Sequence, residues 1–180
     1  DLDGAATGLT TLSVSGTSNL GADVTTSGTQ TYTGAVTLSD DITLTTTNSN
    51  VTFSSTVDSD STSPKRDLTL TLGSGAATFN GIVGTTSLAD VTLNSSATFN
   101  AAMTADNLTI AANKTATVKD DVTIASTITL SGSSTLEVLN ASAMTIAGTI
   151  VDSGTGNTIT VNDSDASATP DEVTFSGTVA

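Results

Sequence analysis

The chemistry open to this chain is set by eighteen acidic and four basic residues, with no histidine and no cysteine among 180 positions. Without imidazole the usual general base and the commonest transition-metal ligand are missing, so serine-protease, zinc-hydrolase and kinase-type sites are excluded. Carboxylates and a cationic base remain, and polysaccharide lysis or hydrolysis needs such groups facing one another in a groove, often beside aromatic platforms for sugar rings. The single arginine, Arg66, stands next to Lys65 in "SPKRD", where Pro64 marks a loop, and the pair reads as a solvated turn. The acidic pairs Asp40-Asp41 and Asp120-Asp121 open matching phrases, "DDITL" and "DDVTI". A motif present twice speaks for structure, since one active site is not expected twice.

Calcium is the better-motivated chemistry. Asp1-Leu2-Asp3-Gly4, Asp58-Ser59-Asp60 and Asn162-Asp163-Ser164-Asp165 alternate oxygen-bearing side chains in what read as turns. A hard cation needs several oxygens of that kind, which makes Asp58, Asp60, Asp163 and Asp165 the candidate ligands. Neither the helix-flanked calcium loop nor the glycine-rich nonapeptide repeat is present, and ordinary solvated turns are the simpler reading. No other cofactor is implied. Asn-x-Ser/Thr sequons at Asn50, Asn94, Asn107, Asn113, Asn140 and Asn162 are expected by chance in a chain where Thr and Ser fill 64 positions. Lys114 and Lys119 could cross-link to Asn or Asp, but nothing in their spacing singles that out.

The elements that must carry these residues are strands. Helix formers are scarce, whereas Thr, Val, Ile and Leu favour a pleated surface. Apolar-Thr-apolar units recur along the chain: Val36-Thr37-Leu38, Ile42-Thr43-Leu44, Val51-Thr52-Phe53, Leu68-Thr69-Leu70, Val91-Thr92-Leu93, Leu108-Thr109-Ile110, Val122-Thr123-Ile124 and others. In a strand the two apolar groups fall on one face and Thr on the other, so each unit reads as a short half-buried strand. Gly, Asn, Asp and Ser clusters such as "GSG" at 73–75 and "DSGTGN" at 152–157 supply the turns. No window carries a helical period, which removes βαβ folds and their ligand sites.

Corresponding units recur at intervals of 23, 17 and 20 residues through Leu70, Leu93, Ile110 and Leu130. A mean near 20 with variable turns predicts an all-β parallel β-helix, a β-solenoid, in which insertions loop outward from stacked strands. "ATFNGIVG" at 77–84 and "ATFNAAMT" at 97–104 then become neighbouring coils, with Phe79 over Phe99 inside and Asn80 over Asn100 at the turn. About nine coils would give a rod on the order of 40 Å long. The chain reads as one domain, 1–180, with a further division into two super-repeats, about 9–87 and 88–180, suggested by the echoes of "DDITL" and of "VTFSSTVDS" in "MTIAGTIVDS". That longer period leaves an alternative, tandem β-sandwiches of immunoglobulin-like size, although a core with one Tyr, four Phe and no Trp lacks a sandwich's large side chains.

A net charge of −14 repels phosphate backbones and anionic membranes, so neither nucleic acid nor membrane insertion is expected, and no apolar stretch is long enough to span a bilayer. Beginning at Asp1 and repeating as it does, the chain reads as a segment of a longer protein. The run "TTSGTQTYTGAVTLSDDITLTTTNSNVTFSSTV" followed by "LTLTLGSGAATFNGIVGTTSLADVTLNSSATFNAAM" resembles the strand-repeat regions of large bacterial surface proteins, the filamentous-haemagglutinin-like and autotransporter-like adhesins. That resemblance spans roughly residues 25–125. It implies a right-handed parallel β-helix, export to the cell surface or medium, and a non-enzymatic role in adhesion, biofilm matrix or surface filaments. Expected partners are neighbouring repeats or further copies joined end to end, and host or matrix glycans or proteins. The alternatives are a self-assembling filament or surface-layer subunit, calcium-dependent or not, and, more remotely, a polysaccharide-active β-helix enzyme.

Overall fold

A computed structural model describes residues 3–139, 143–162 and 172–175. Among them there is no helix, and 21 strands wind into a β-solenoid of about eight turns. The first turn contains β1 (Ala6–Leu9), β2 (Leu12–Val14) and β3 (Ser18–Leu20). The second contains β4 (Val24–Thr26), β5 (Gln30–Tyr32) and β6 (Val36–Leu38), and the third β7 (Ile42–Thr46), β8 (Val51–Phe53) and β9 (Val57–Ser59). Then come β10 (Leu68–Thr71), β11 (Ala77–Phe79), β12 (Val83–Leu93), β13 (Ala97–Phe99), β14 (Met103–Ile110), β15 (Thr115–Val118) and β16 (Val122–Ser131). The last turns are built from β17 (Thr135–Leu139), β18 (Ala143–Ile146), β19 (Thr149–Ser153), β20 (Thr158–Asn162) and β21 (Glu172–Phe175).

Each turn has three faces. One is an eight-stranded sheet, β2-β5-β8-β11-β13-β15-β17-β20. The other two merge into a 13-stranded sheet, because β12, β14 and β16 run through the corner unbroken and serve the third face of one turn and the first face of the next. Every strand pair is parallel. The sandwich alternative fails on that point, since sandwiches are antiparallel.

Turn length follows the corners. The first strands begin at residues 6, 12, 18, 24, 30, 36 and 42, a six-residue face repeated without interruption. From Val51 to its partner Ala77 the interval grows to 26 residues, because the segment 60–67 is looped out between β9 and β10. Such longer corners account for the difference between nine expected turns and the eight observed. The series Leu70, Leu93, Ile110 and Leu130 is one column of in-register partners. The longer echo has a different meaning. "DDITL" leads into β7 on the first face, whereas "DDVTI" leads into the half of β16 that pairs with β18 on the third face. The two phrases thus share a strand-and-corner design without occupying equivalent places in the coil.

The core is a bundle of columns running along the axis. The strongest is Val14, Tyr32, Phe53, Phe79, Phe99, Val118, Val138 and Val161, one residue per rung. Its four rings stack with centroids 5.1, 4.7 and 4.6 Å apart and interplanar angles of 11°, 8° and 1°. Parallel strands in register bring identical side chains to the rung spacing of about 4.8 Å, so the stacking distance is dictated by the backbone. Beside Phe79 and Phe99, the inward positions two residues earlier are Ala77 and Ala97, small enough to balance the rings at close-packed density. All four aromatics are buried.

Corners set a second constraint. Gly75 lies so close to the rung before it that a Cβ would sit 2.1 Å from the carbonyl oxygen of Ser49. Gly84 combines a φ of +82° with a would-be Cβ 2.1 Å from the carbonyl oxygen of Thr104. Only a residue without a side chain fits either place.

Candidate functional site

The charged residues gather where the third face turns into the first. Asp23, Asp41, Asp67 and Asp90 occupy this corner on successive rungs, each directly before a strand or at its outer edge. Their carboxylates point along the axis and accept from the neighbouring rung: Asp23 from the Thr43 N–H at 2.7 Å, Asp41 from the Asp67 N–H at 3.1 Å, and Asp67 from the Asp90 N–H at 3.0 Å. Asp90 in turn accepts from the amide nitrogen of Asn107 at 2.6 Å. The stacking has an electrostatic cost. Partial burial pushes the Asp67 carboxyl above the usual range, the bond from the Asp90 N–H opposes that, and the flanking Asp41 and Asp90 carboxylates raise it further.

Lys65 and Arg66 counter that charge, and here the structure corrects the expectation of a solvated turn. Arg66 grips Asp60 with two nitrogens, Nε to Oδ1 at 2.7 Å and Nη2 to Oδ2 at 3.3 Å. This bidentate pair holds the Asp60 carboxyl below its usual range and the guanidinium above its own. Lys65 reaches across the stack to Asp106, 41 residues away. The looped-out segment 60–67 is therefore stapled at both cations, and the Ser59 hydroxyl, turned inward, donates to the Ser61 carbonyl and accepts the Arg66 N–H.

The calcium candidates separate under this geometry. Asp58 is the middle residue of β9 and not part of a turn, and its Oδ1 accepts the Thr86 N–H at 2.9 Å. Asp60 is held by Arg66, so both carboxylates are engaged by protein donors. Asp163, Ser164 and Asp165 lie outside the described residues, as does Asp1, while Asp3 is exposed. Among the described residues no three acidic side chains converge as a metal site. An open depression of about 250 Å³ near the first rungs is lined by Gly8, Leu9, Thr25, Thr26, Ser27 and Thr47, none of them titratable.

Elsewhere the outward side chains form ladders. The Asn100 amide nitrogen donates to the Asn80 oxygen at 2.8 Å, as the shared "ATFN" phrase implied. The middle positions of the eight-stranded face read Ser13, Thr31, Thr52, Thr78, Thr98, Thr117, Glu137 and Thr160 from end to end. One interior feature had no signal in the residue pattern. Gln30, buried, accepts from the Tyr32 hydroxyl at 3.1 Å and donates to the Thr45 carbonyl at 3.0 Å, and burial pushes the Tyr32 phenol upward. A glutamine two residues before the only tyrosine, both on the inward face, was the available clue.

Taken together, the site can bind its own backbone and hold a corner in place. It brings Asp60 and Arg66 together and keeps Asp40-Asp41 and Asp120-Asp121 on separate corners, where Asp40 and Asp120 each accept the next residue's N–H. Comparison with protein-family models, with curated proteins and with solved structures found no match.

Proposed function

We propose that the chain is an extracellular structural and adhesive module, a segment of a cell-surface stalk, fibre or biofilm matrix that holds a binding element away from the cell. The observation that carries this reading is the unbroken in-register stack of about eight turns with one continuous core. A solenoid of this kind gains length by adding turns, because each turn contacts only its neighbours. Its outward surface is a regular array of threonines and acids, suited to staying dispersed in a salt-rich medium and to meeting host or matrix glycans or proteins.

The test is localisation and adhesion. Intact cells producing the protein should label with an antibody to residues 3–162, and cells lacking that segment should adhere less to glycan- or matrix-coated surfaces. Labelling that appears only after lysis overturns the reading.

A further inference from the structure

We propose that the two ends of the solenoid are complementary, and that copies of the chain join head to tail with the last rung of one seated on the first rung of the next. This rests on the reading of the chain as an extending module and adds the partner, the polarity and the register. The inner columns are buried along their length, and the half-buried apolar residues packed against them stand at the ends: Ala6, Leu12 and Val14 at one, Ile159 and Val161 at the other. At the first rung, β1, β2 and β3 pair on one side only, with β4, β5 and β6. At the last, β19 and β20 pair only with β16 and β17.

Such edges are usually blunted by proline, lysine or a covering element. The strands β1, β2 and β3 contain no charged residue and no proline, and β19 and β20 carry one charge, Asp152. The first rung also holds two buried polar atoms without a hydrogen-bond partner, the Ser18 Oγ and the Asn19 Oδ1, both on β3. Buried polar atoms normally find partners, and a rung laid on β3 brings donors to that place. Asn80 shows the pattern within the rod, its Oδ1 accepting from Asn100 on the adjoining rung.

Register follows from the columns. Val161 and Ile159 close the columns that Val14 and Leu12 open, so a second copy seated in phase sets Val against Val, Ile against Leu, and Thr160 beside Ser13. Only opposite ends meet with all strands parallel. The contact is heterologous and does not close, so it extends into a filament. The net charge of −14 opposes the approach of copies, and added salt should favour it.

Because the chain has no cysteine, the register can be trapped directly. In a Ser13→Cys/Thr160→Cys variant, cysteines of successive copies lie one rung apart, about 4.8 Å and within disulfide reach, while within one copy they are about 34 Å apart. Mild oxidation of the full chain should give a ladder of multimers on a non-reducing gel, at least ten-fold above either single variant and above a mid-rod control, Thr78→Cys/Thr160→Cys. Val14→Lys added to the double variant should suppress the ladder while circular dichroism remains that of the folded rod. A double variant that stays monomeric, a mid-rod control that links equally well, or Ser13→Cys alone forming dimers overturns the proposal. A monomeric outcome leaves the surface-stalk reading untouched, since that stands on labelling and adhesion.

Discussion

Replacing Phe79 with alanine tests the stacked core most directly. Phe79 is buried and lies between two rings, 4.7 Å from Phe53 and 4.6 Å from Phe99. Removal of a buried phenylalanine costs about 3–5 kcal/mol, the larger values arising where the site cannot collapse. Collapse is hindered here because Ala77 and Ala97 line the adjoining column and the rung spacing is held by the backbone. Two stacking contacts, each about 0.5–1.5 kcal/mol beyond area burial, are lost as well. We therefore expect Phe79→Ala to lie in the upper half of the range, about 4–5 kcal/mol. Phe99→Ala, which loses one ring contact and faces Val118 on its other side, should lie lower, about 3–4 kcal/mol. Urea denaturation followed by far-UV circular dichroism measures the global change. The only tyrosine, Tyr32, stands at the end of the ring stack, and with no tryptophan present its fluorescence reports opening at that end. A cost near zero at Phe79, or equal costs at both positions, would refute the stacked-column account.

Four further outcomes are expected. Gly75→Ala forces a Cβ to within 2.1 Å of the Ser49 carbonyl oxygen and should destabilise by about 1–3 kcal/mol, read as a lower urea midpoint. Tyr32→Phe removes the hydroxyl that donates to buried Gln30 and should cost about 1–3 kcal/mol by the same assay. Asp67→Asn should raise the melting temperature at pH 7. The folded carboxyl titrates above its unfolded value, so its ionised form is the penalised one, and the advantage should vanish as pH falls through that folded value. Asp60→Asn should speed tryptic cleavage at Lys65-Arg66 with little change in melting temperature. The same release should follow acidification of the unmodified chain, because the depressed Asp60 carboxyl supports the loop above its unfolded value and lets go as pH drops through its folded one.

The strands and much of the register were legible because each apolar-Thr-apolar unit states its own facing, and because Leu70, Leu93, Ile110 and Leu130 repeat one inward position. "ATFN" aligned one pair of rungs, and the rings above it, Phe53 and Tyr32, fell into the same column. The face occupied by "DDITL" or "DDVTI" was not legible, since strand-and-corner units of all three faces use the same residue types and only the intervening loop lengths set the phase. The candidate site was less readable still. Arg66 finds Asp60 six residues away, which proximity could have suggested, but Lys65 reaches Asp106 only because the coil folds 41 residues of chain back beneath it. Asp58 reads as a turn residue beside Asp60, yet the strand continues through it to Ser59, whose side chain is buried.

The hydrogen bonds between rungs lie along the long axis of the rod, and this governs how it bears load. A pull on its two ends stretches those bonds in their own direction, so they separate one rung after another instead of shearing together. Each released turn of about 20 residues can pay out about 60–70 Å of extended chain in place of the 4.8 Å it spanned. A filament made this way yields in steps, dissipating force turn by turn, and re-forms by laying the strands back on the rung that remains.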